Sequence, residues 1–414
     1  MALLEGDEML TGILSEEHLC GFDQLPALVA KHAARAGMGD ARVFVPDLRR
    51  QLLREVTGQG LDAGAGGEAY EVDSTLPGRA FASSRPLPGG DGEQPRRWWM
   101  PILGGTERLG VLRVDLAQGV ELERAGVLAS LVGLLLMSKR PHSDSYARLV
   151  RTEAMNVAAE MQWNLMPPLC FANHAVAIVA AMEPAYAIGG DAFDYAVAGH
   201  QVHLAVYDAM GHNSRAGLTA NLAVAACRNQ RRQGIDLVAT GEKVEEVLVE
   251  HFGHSTYVTA VLANLDFTTG ALFWINRGHP APVLIRGGRW TTTLVCPPAH
   301  PLGTELEVPA TLCREQLEPG DRILLDTDGV TEARDRCGRE FGLNGLTDFM
   351  IRHHADGLPF PETLRRLMHA IVDHHAGQRA DDATVLCLEW LGPSRNTELR
   401  PQRNVIASNA DPPP

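Results

Sequence analysis

The sequence lacks the features that mark membrane, secreted and nucleic-acid-binding proteins. No apolar run reaches the roughly 18 residues of a transmembrane helix. The N-terminus has no basic region followed by an apolar run and a cleavage site. Acidic residues number 51 against 37 basic ones, and the net charge of −14 argues against an extended nucleic-acid surface because phosphate binding needs clustered Lys and Arg. We expect a cytoplasmic protein that contacts neither nucleic acid nor membrane.

Cysteine shows no useful pattern either. The seven cysteines are odd in number, scattered and without a C-x-x-C pair. The sequence therefore predicts neither a disulfide framework nor a zinc site. We expect mostly buried thiols of a reducing compartment, and Cys227 is interpreted as a packing residue because no adjacent base is evident.

What is present suits a folded protein of two domains. Hydrophobic residues make up 45% and charged residues 21% of the 414-residue chain. Residues 14–139 combine an amphipathic helix pattern, the strand-like run ARVFVPDL, and two strand-like runs around Gly104-Gly105. This order predicts a small α/β sensor module. The apolar segment 127–137 is too short to span a bilayer and is interpreted as a buried or dimer-forming helix.

A linker follows the first domain. Apolar residues recur every three or four positions over residues 143–165, with Ser143 as a helix cap and Pro167-Pro168 as a stop. The spacing predicts one linker helix within residues 143–168. Two interpretations stay open: a helix packed on one domain, or a helix that pairs with its twin in a dimer and passes a signal between domains.

Strand patterns dominate residues 171–391, with hairpin turns at TTG and at Gly287-Gly288 and helical patterns among them. The sequence predicts an antiparallel-rich α+β domain. The tail, residues 392–414, is polar and Pro-rich, and we predict that it is disordered.

Aspartates stand at strand ends or in tight glycine turns at four places in this domain: Gly190-Asp191, Asp208, Asp328 and Asp381-Asp382. One such Asp is usually part of a turn, but side chains at strand ends can converge without competing with the core. Carboxylates are the preferred ligands of Mg²⁺ and Mn²⁺, and two such ions about 3.5–4 Å apart can clamp a phosphate for in-line attack. The pattern favours a metal site.

The order of motifs GGDAFDY, DAMGH, NRGHPAPVLI, GDRILLDTDGVTEARD, EFGL and DDATVL resembles the SpoIIE-type bacterial branch of the metal-dependent PPM, or type 2C, serine/threonine phosphatases. The resemblance covers residues 172–390. It implies an α/β/β/α sandwich of antiparallel sheets that hydrolyses phosphoserine or phosphothreonine. Residues 14–139 are similar to a GAF sensor domain, with weaker motifs.

The resemblance also implies the site residues. Asp208 would bridge two Mn²⁺ or Mg²⁺ ions, with the backbone carbonyl of Ala209 beside it. Asp328 and Asp381 would hold the second ion, and Asp191 would complete the shell directly or through water. Asp191 and Asp208 are therefore the expected catalytic residues. Asp382 is interpreted as capping a turn beside Asp381.

Two departures from the family pattern bear on the chemistry. Where animal-type relatives carry a probable general acid, this chain has Met210, so that role falls to metal-bound water or a neighbour such as His212. Asn213 replaces a usual glycine but tolerates the same backbone. His212 is more often a turn residue than a catalyst. His279 is interpreted equally as a supporting residue near the site or as part of a turn.

The resemblance implies partners as well. The expected substrate is a phosphorylated regulatory protein, such as an anti-sigma-factor antagonist, and the protein is expected to form a homodimer. A small molecule is a candidate ligand of the GAF-like domain. Trp98 and Trp99 are adjacent on a strand and point to opposite faces, so at most one lines that pocket.

Three other functions compete with this interpretation. A diguanylate cyclase would need an acid where this chain has Ala192. A haloacid-dehalogenase-like phosphatase would use Asp326 of DTDGV as nucleophile, but too few residues follow for its Rossmann-like core. A non-enzymatic GAF-containing scaffold would have lost one or more of the aspartates expected to bind metal. All four of these aspartates are present.

Overall fold

The computed structural model describes residues 2–90, 96–183, 186, 189–211, 213–306, 308–375 and 382–393, with side chains from residue 8 onward. The chain divides into two compact units, Met1–Ala154 and Met155–Pro414. No helix within the described ranges is both long and apolar enough to cross a bilayer.

The N-terminal unit contains helices and one sheet. Its helices are α1 (Ala2–Glu16), α2 (Leu25–Arg35), α3 (Leu76–Ser83), α4 (Leu122–Lys139) and α5 (Asp144–Val150). Its strands are β1 (Met38–Pro46), β2 (Leu52–Val56), β3 (Ala69–Glu71), β4 (Leu87–Pro88), β5 (Arg97–Gly104) and β6 (Glu107–Leu116). The strands form one antiparallel sheet in the order β3-β2-β1-β6-β5-β4.

This sheet is covered on both faces. One core cluster joins it to α2 and α4, and a second joins its other face to α3. Trp98 packs against the first cluster and Trp99 lies in the second, because neighbouring residues of a strand point to opposite faces. The α/β class expected for this unit is confirmed. Its likeness to a GAF domain stays a prediction.

The prediction of a single helix over residues 143–165 is wrong. Helix α5 ends at Val150, and a separate helix α6 (Val157–Leu165) begins seven residues later. The carbonyl of Val150 accepts a hydrogen bond from the Leu48 backbone at 3.0 Å, and the Asn156 side chain caps α6 by accepting from a backbone N–H at 2.6 Å. A tertiary contact ends one helix and a local cap starts the other, and hydrophobic spacing reports neither.

The C-terminal unit contains six helices and two sheets among the residues described. Besides α6, its helices are α7 (Ser214–Arg232), α8 (Leu237–Phe252), α9 (Asp328–Thr331), α10 (Gly342–Ala355) and α11 (Phe360–His374). Its strands are β7 (Cys170–Ala172), β8 (Val176–Glu183), β9 (Asp191–Ala198), β10 (Gln201–Ala209), β11 (Val258–Asp266), β12 (Ala271–Arg277), β13 (Val283–Arg286), β14 (Trp290–Thr293), β15 (Cys313–Gln316), β16 (Arg322–Asp326) and β17 (Ala383–Trp390).

Both sheets are antiparallel throughout. One has the order β15-β12-β11-β10-β9 and the other β14-β13-β16-β17-β8-β7. Alternate residues of each strand fill a core between the sheets, for example Val206 and Leu386. The residues between them face outward, against α7 and α8 on one side and α10 and α11 on the other. The predicted α/β/β/α sandwich is confirmed.

The expectation of free thiols is wrong at one place. A disulfide joins Cys296 to Cys313, whose Cα atoms are 5.9 Å apart. The chain leaves the sandwich after β14 and returns as β15, which pairs with β12, so the two cysteines meet through the fold and not through a short motif. Cys227 is buried, as expected of a packing residue.

Candidate active site

Asp191 and Asp208 face each other across two neighbouring strands. The register of β9 and β10 pairs them directly, which places their Cβ atoms about 4.5–5.5 Å apart. Phe193 on β9 and Val206 on β10 belong to the core between the sheets. Since side chains alternate along a strand, both aspartates point into the same space at one end of the sandwich.

The opposite sheet contributes Thr327 to this space. Its hydroxyl donates to Asp191 Oδ2 at 2.6 Å and accepts from the Thr384 backbone N–H at 2.9 Å. Thr327 is fully buried, so these bonds join the two sheets at the level of the aspartates. Thr327 is not among the site residues that the sequence predicts. The available signal was a small hydroxyl residue between the two acids of DTD.

Asp382 anchors the glycine turn that precedes β9. Its Oδ2 accepts the backbone N–H groups of Gly189 and Gly190 at 2.6 and 2.7 Å. A Cβ on Gly329 would lie only 2.0 Å from the Asp382 carbonyl oxygen, so glycine is required where α9 meets this segment. The interpretation of Asp382 as a turn cap beside Asp381 did not include this role, since Gly189 and Gly190 are almost two hundred residues away in sequence. Asp381 lies outside the described residues.

The Ala209 carbonyl lies close to the same turn. The Ala209 N–H donates to the Gly190 carbonyl at 3.0 Å, and a Cβ on Gly190 would come within 2.3 Å of the Ala209 carbonyl oxygen. Gly190 therefore allows a close backbone approach that an alanine would block. Asp208 and Asp328 are half-buried, at the end of β10 and at the start of α9.

The acids of this cluster repel one another when they are ionised. Burial raises the pKa of Asp191 well above its usual range, and the neighbouring carboxylates of Asp208 and Asp382 raise it further. Burial, followed by the charge of Asp328, raises the pKa of Asp326 to about 7. Asp326 nevertheless faces the other way, since its strand neighbour Leu324 belongs to the core under the helices. The structure separates Asp326 from the space between the sheets.

The donor set fits hard divalent cations. It consists of carboxylate oxygens with a backbone carbonyl beside them, which Mg²⁺ and Mn²⁺ prefer. Like charges directly opposite on paired strands are destabilising, and a cation would relieve that repulsion. Within the described ranges, no three His, Cys, Asp or Glu side chains are already gathered closely enough to hold an ion. Asp381, next in sequence to Asp382, is outside those ranges.

His279 forms hydrogen bonds to residues next to the proposed metal ligands. Its Nε2 donates to the Asp326 carbonyl at 3.0 Å, so its Nδ1 accepts from the Thr259 hydroxyl at 2.8 Å. Burial lowers the pKa of His279 to about 4, which keeps the ring neutral. Thr259 pairs with Asp208 in the register of β10 and β11. His279 thus holds the Asp208 side of one sheet against β16 of the other, in agreement with a supporting role.

Helix α6 contacts the backbone of the site. Gln162 is fully buried, and its Nε2 donates to the Asp191 carbonyl at 2.7 Å. Ala158 packs against α7 so closely that a Cβ on Gly217 would lie 2.7 Å from its own. Sequence reasoning missed Gln162, whose only signal was a polar residue in an otherwise apolar pattern. His212 lies outside the described residues, and Met210 is 54% exposed.

Comparison with known proteins found one matching family model and several similar solved structures. Residues 198–391 match the family model described as stage II sporulation protein E (SpoIIE). The RsbU and RsbW domains of Rv1364c from Mycobacterium tuberculosis are 25% identical with a TM-score of 0.45, covering 56% of this chain and 63% of that one. The phosphatase domain of SpoIIE from Bacillus subtilis with a fragment of its regulatory domain is 20% identical with a TM-score of 0.43, covering 54% and 65%.

A further solved structure was obtained with metal. The catalytic domain of the serine/threonine phosphatase PstP, in complex with two manganese ions, is 20% identical with a TM-score of 0.39, covering 52% of this chain and 99% of that one. All three TM-scores are below 0.5, and the family model matches slightly less than half of the chain. This chain spans less than two thirds of the length of the first two structures.

Proposed function

We propose, because residues 198–391 match the SpoIIE family model and the motifs resemble those of PPM phosphatases, that this chain is a metal-dependent protein serine/threonine phosphatase. The observation that carries the proposal is the pair Asp191 and Asp208. They lie opposite each other on two neighbouring strands and face the space between the two sheets. Burial and neighbouring acids raise the pKa of Asp191. Acids whose pKa is raised by burial and by other acids are candidate cation ligands.

The proposed ligands of two Mn²⁺ or Mg²⁺ ions are Asp191, Asp208, the carbonyl of Ala209, Asp328 and Asp381. When bound, such ions neutralise phosphoryl oxygens and activate water for in-line attack. The chain's own residues do the positioning: Thr327 fixes Asp191 Oδ2 through a 2.6 Å hydrogen bond.

Hydrolysis of p-nitrophenyl phosphate with Mn²⁺, Mg²⁺ or chelator tests the proposal. We expect metal-dependent turnover that is lost in Asp208→Asn and kept in Asp326→Asn. Loss in Asp326→Asn alone would indicate a phospho-aspartyl mechanism. That mechanism is disfavoured by the antiparallel sheet around DTDGV and by the outward direction of Asp326. No turnover with any metal would favour a non-enzymatic scaffold.

The proposed substrate is phosphoserine or phosphothreonine on a regulatory protein, such as an anti-sigma-factor antagonist. This part of the proposal is supported by the family resemblance. Incubation of a phosphorylated candidate with the protein and Mn²⁺, followed by intact mass measurement, would show loss of one phosphate.

Gating by residues 143–165 is also proposed, and helix α6 supports it. Because Gln162 holds the Asp191 carbonyl, a displacement of α6 would move a metal ligand. We expect Gln162→Ala in the full chain to lower kcat about tenfold, an effect typical of a lost positioning contact. Asn164→Ala, on the same helix but exposed, is the matched control and should leave kcat unchanged.

A homodimer through α4 is proposed for the N-terminal unit. Val127, Leu134 and Met137 are exposed on a helix that otherwise packs into the core. Their spacing, with Ser130 between, follows the 3-4 repeat of a helix pair. We expect Leu134→Lys to convert a dimer into a monomer in light scattering, while Leu61→Lys, at another exposed leucine of this unit, leaves the dimer intact.

A small-molecule ligand of the N-terminal unit belongs to the same proposal. A cavity of about 540 Å³ is lined by residues that include Cys20, Phe22, Lys139 and His142. Neither Trp98 nor Trp99 lines it. A thermal shift of the full chain on addition of a ligand, lost in Phe22→Ala, would support a sensor site there.

A further inference from the structure

A loop closed by the disulfide leaves the sandwich between β14 and β15. The loop comprises residues 294–312, of which all but residue 307 are described. Cys296 is buried, and Cys313 is the first residue of β15, a strand that pairs only with β12 among the described strands. The crosslink therefore ties both ends of the loop to one edge of the five-stranded sheet.

The loop is attached to strands next to the acid cluster. Leu302 exchanges two backbone hydrogen bonds of 2.8 Å with Val258, and Val258 pairs with Ala209 in the register of β10 and β11. The Ala299 N–H donates to the Asn276 carbonyl at 2.9 Å. The first half of the loop is thus an extension of the sheet that presents Asp208.

A buried carboxylate of α8 holds the loop in shape. Glu245 Oε1 accepts from the Glu305 backbone N–H at 2.6 Å, and Oε2 contacts Arg277 and His300. The Val308 N–H donates to His300 Nδ1 at 3.2 Å, and His300 Nε2 lies 3.0 Å from both Glu245 Oε2 and an Arg277 guanidinium nitrogen. These contacts bring residues from both halves of the loop to one point.

Apolar side chains are exposed along this loop and beside the site. Leu306 is 64% exposed, Val308 46%, Met210 54% and Tyr257 39%. The Met210 N–H donates to the Tyr257 carbonyl at 3.0 Å, and a Cβ on Gly303 would lie 3.6 Å from the Tyr257 Cα. Leu306 and Val308 follow Gly303 on the loop. We call these four exposed residues the ledge, and its first member, Met210, directly follows Ala209. Grouped exposed apolar side chains mark interaction surfaces.

We propose that this ledge docks the polypeptide on either side of the phosphoresidue, and that the Cys296–Cys313 disulfide is a redox-sensitive lock that keeps the ledge in shape. The proposal rests on the proposed phosphatase function. The occupant is the substrate polypeptide, because the ledge begins at Met210, directly after the proposed metal-ligand strand β10. Extended residues advance about 3.3 Å each, so residues next to the phosphoresidue are within reach of it.

Opening the lock requires a dithiol reductant. One thiolate of the dithiol attacks a sulfur of the disulfide and the other resolves the mixed disulfide, so that Cys296 and Cys313 become thiols and the dithiol becomes a cyclic disulfide. The proposed metal ligands lie on β9, β10 and α9 and at Asp381, none of them in the loop. Reduction should therefore affect a polypeptide substrate and spare a small one.

The test compares casein phosphorylated on serine with p-nitrophenyl phosphate, using the full chain with Mn²⁺ before and after dithiothreitol. We expect reduction, or the double variant Cys296→Ser/Cys313→Ser, to raise KM for casein at least fivefold and to change p-nitrophenyl phosphate turnover less than twofold. Hydrogen exchange of residues 297–312 should accelerate in parallel. Leu306→Ser should raise KM for casein without reduction, whereas Val372→Ser, an equally simple change at an exposed residue of α11, should not.

The outcomes separate the lock from the phosphatase. Turnover of both substrates with an unchanged KM for casein after reduction overturns the lock, and an unchanged KM in Leu306→Ser overturns the ledge. Free thiols at Cys296 and Cys313 in the protein purified without reductant, seen by alkylation and mass measurement, also overturn the lock. No turnover of either substrate overturns the proposed function, and the docking role with it.

Discussion

Each unit contains a cluster of acids on sheet strands, and the two clusters differ in what surrounds them. In the N-terminal unit, burial raises the pKa of Asp40, but Arg42 and Arg113 more than reverse this and the net pKa is lowered. A hydrogen bond from Tyr70 and the charge of Arg113 lower the pKa of Glu68. In the C-terminal unit, burial and neighbouring acids raise the pKa of Asp191.

The difference teaches how to distinguish structural acids from functional ones. Arg113 lies between Asp40 and Glu68, 2.9 and 2.8 Å from their oxygens, so folding already supplies the cation that those acids need. The charged groups that shift the pKa of Asp191 are other carboxylates, Asp208 and Asp382, and both raise it. A bound cation would favour the ionised form of these acids. An acid whose pKa is raised by other acids is a candidate cation ligand.

The sharpest test of this comparison replaces one acid of each cluster by asparagine. Asp208→Asn should lower Mn²⁺-dependent kcat for p-nitrophenyl phosphate by about a hundredfold to a thousandfold, because loss of a group that stabilises transition-state charge costs about 3–4 kcal/mol. Asp40→Asn should leave kcat within twofold. Comparable loss in both variants would show that the two clusters do not differ in role.

Removing the internal cation from the N-terminal cluster should affect stability instead of activity. Arg113 is only 6% exposed and contacts two acids, so Arg113→Met should destabilise that unit by about 2 kcal/mol, below the range for fully buried pairs since its partners are partly exposed. Fluorescence of Trp98 and Trp99 during urea unfolding would report the change. Arg97→Met, at an arginine that is 43% exposed, should cost less than about 1 kcal/mol.

Proton competition should distinguish the two clusters as well. Because the pKa of Asp191 is raised, protons compete with a cation for the site, so metal affinity should increase with pH and fall on acidification, by up to about tenfold per pH unit for one displaced proton. The thermal shift produced by Mn²⁺ should therefore grow between pH 6 and pH 8. In Asp191→Asn the shift should be absent at every pH, and a pH-independent shift in the wild type would contradict the argument.

Much of this arrangement could be predicted from sequence, and the failures share a cause. Alternating apolar patterns gave the antiparallel sheets, and strand-end acids pointed to Asp191 and Asp208, because these signals are local. Thr327, Gln162 and the disulfide act through partners far along the chain, and spacing contains no information about them. Asp382 shows the limit most clearly: its sequence suggests a turn cap, but its carboxylate holds the glycine turn of Gly189 and Gly190.

The smallest effect on activity is expected at Asp326. This residue is buried and belongs to the same motif as Asp328, but it is not a proposed metal ligand. Its pKa is raised to about 7, first by burial and then by Asp328, yet it faces the helices. A raised pKa means that the folded state holds the proton more tightly than the unfolded state does. Ionisation of Asp326 therefore lowers the free energy of unfolding progressively as pH rises from about 4 to about 7.

Asp326→Asn mimics the protonated acid. In urea unfolding, the gain in stability of this variant over the wild type should therefore be greater at pH 8 than at pH 5, by on the order of 1 kcal/mol. Turnover of p-nitrophenyl phosphate should stay within threefold of the wild type, and a larger loss would place Asp326 among the reacting groups after all.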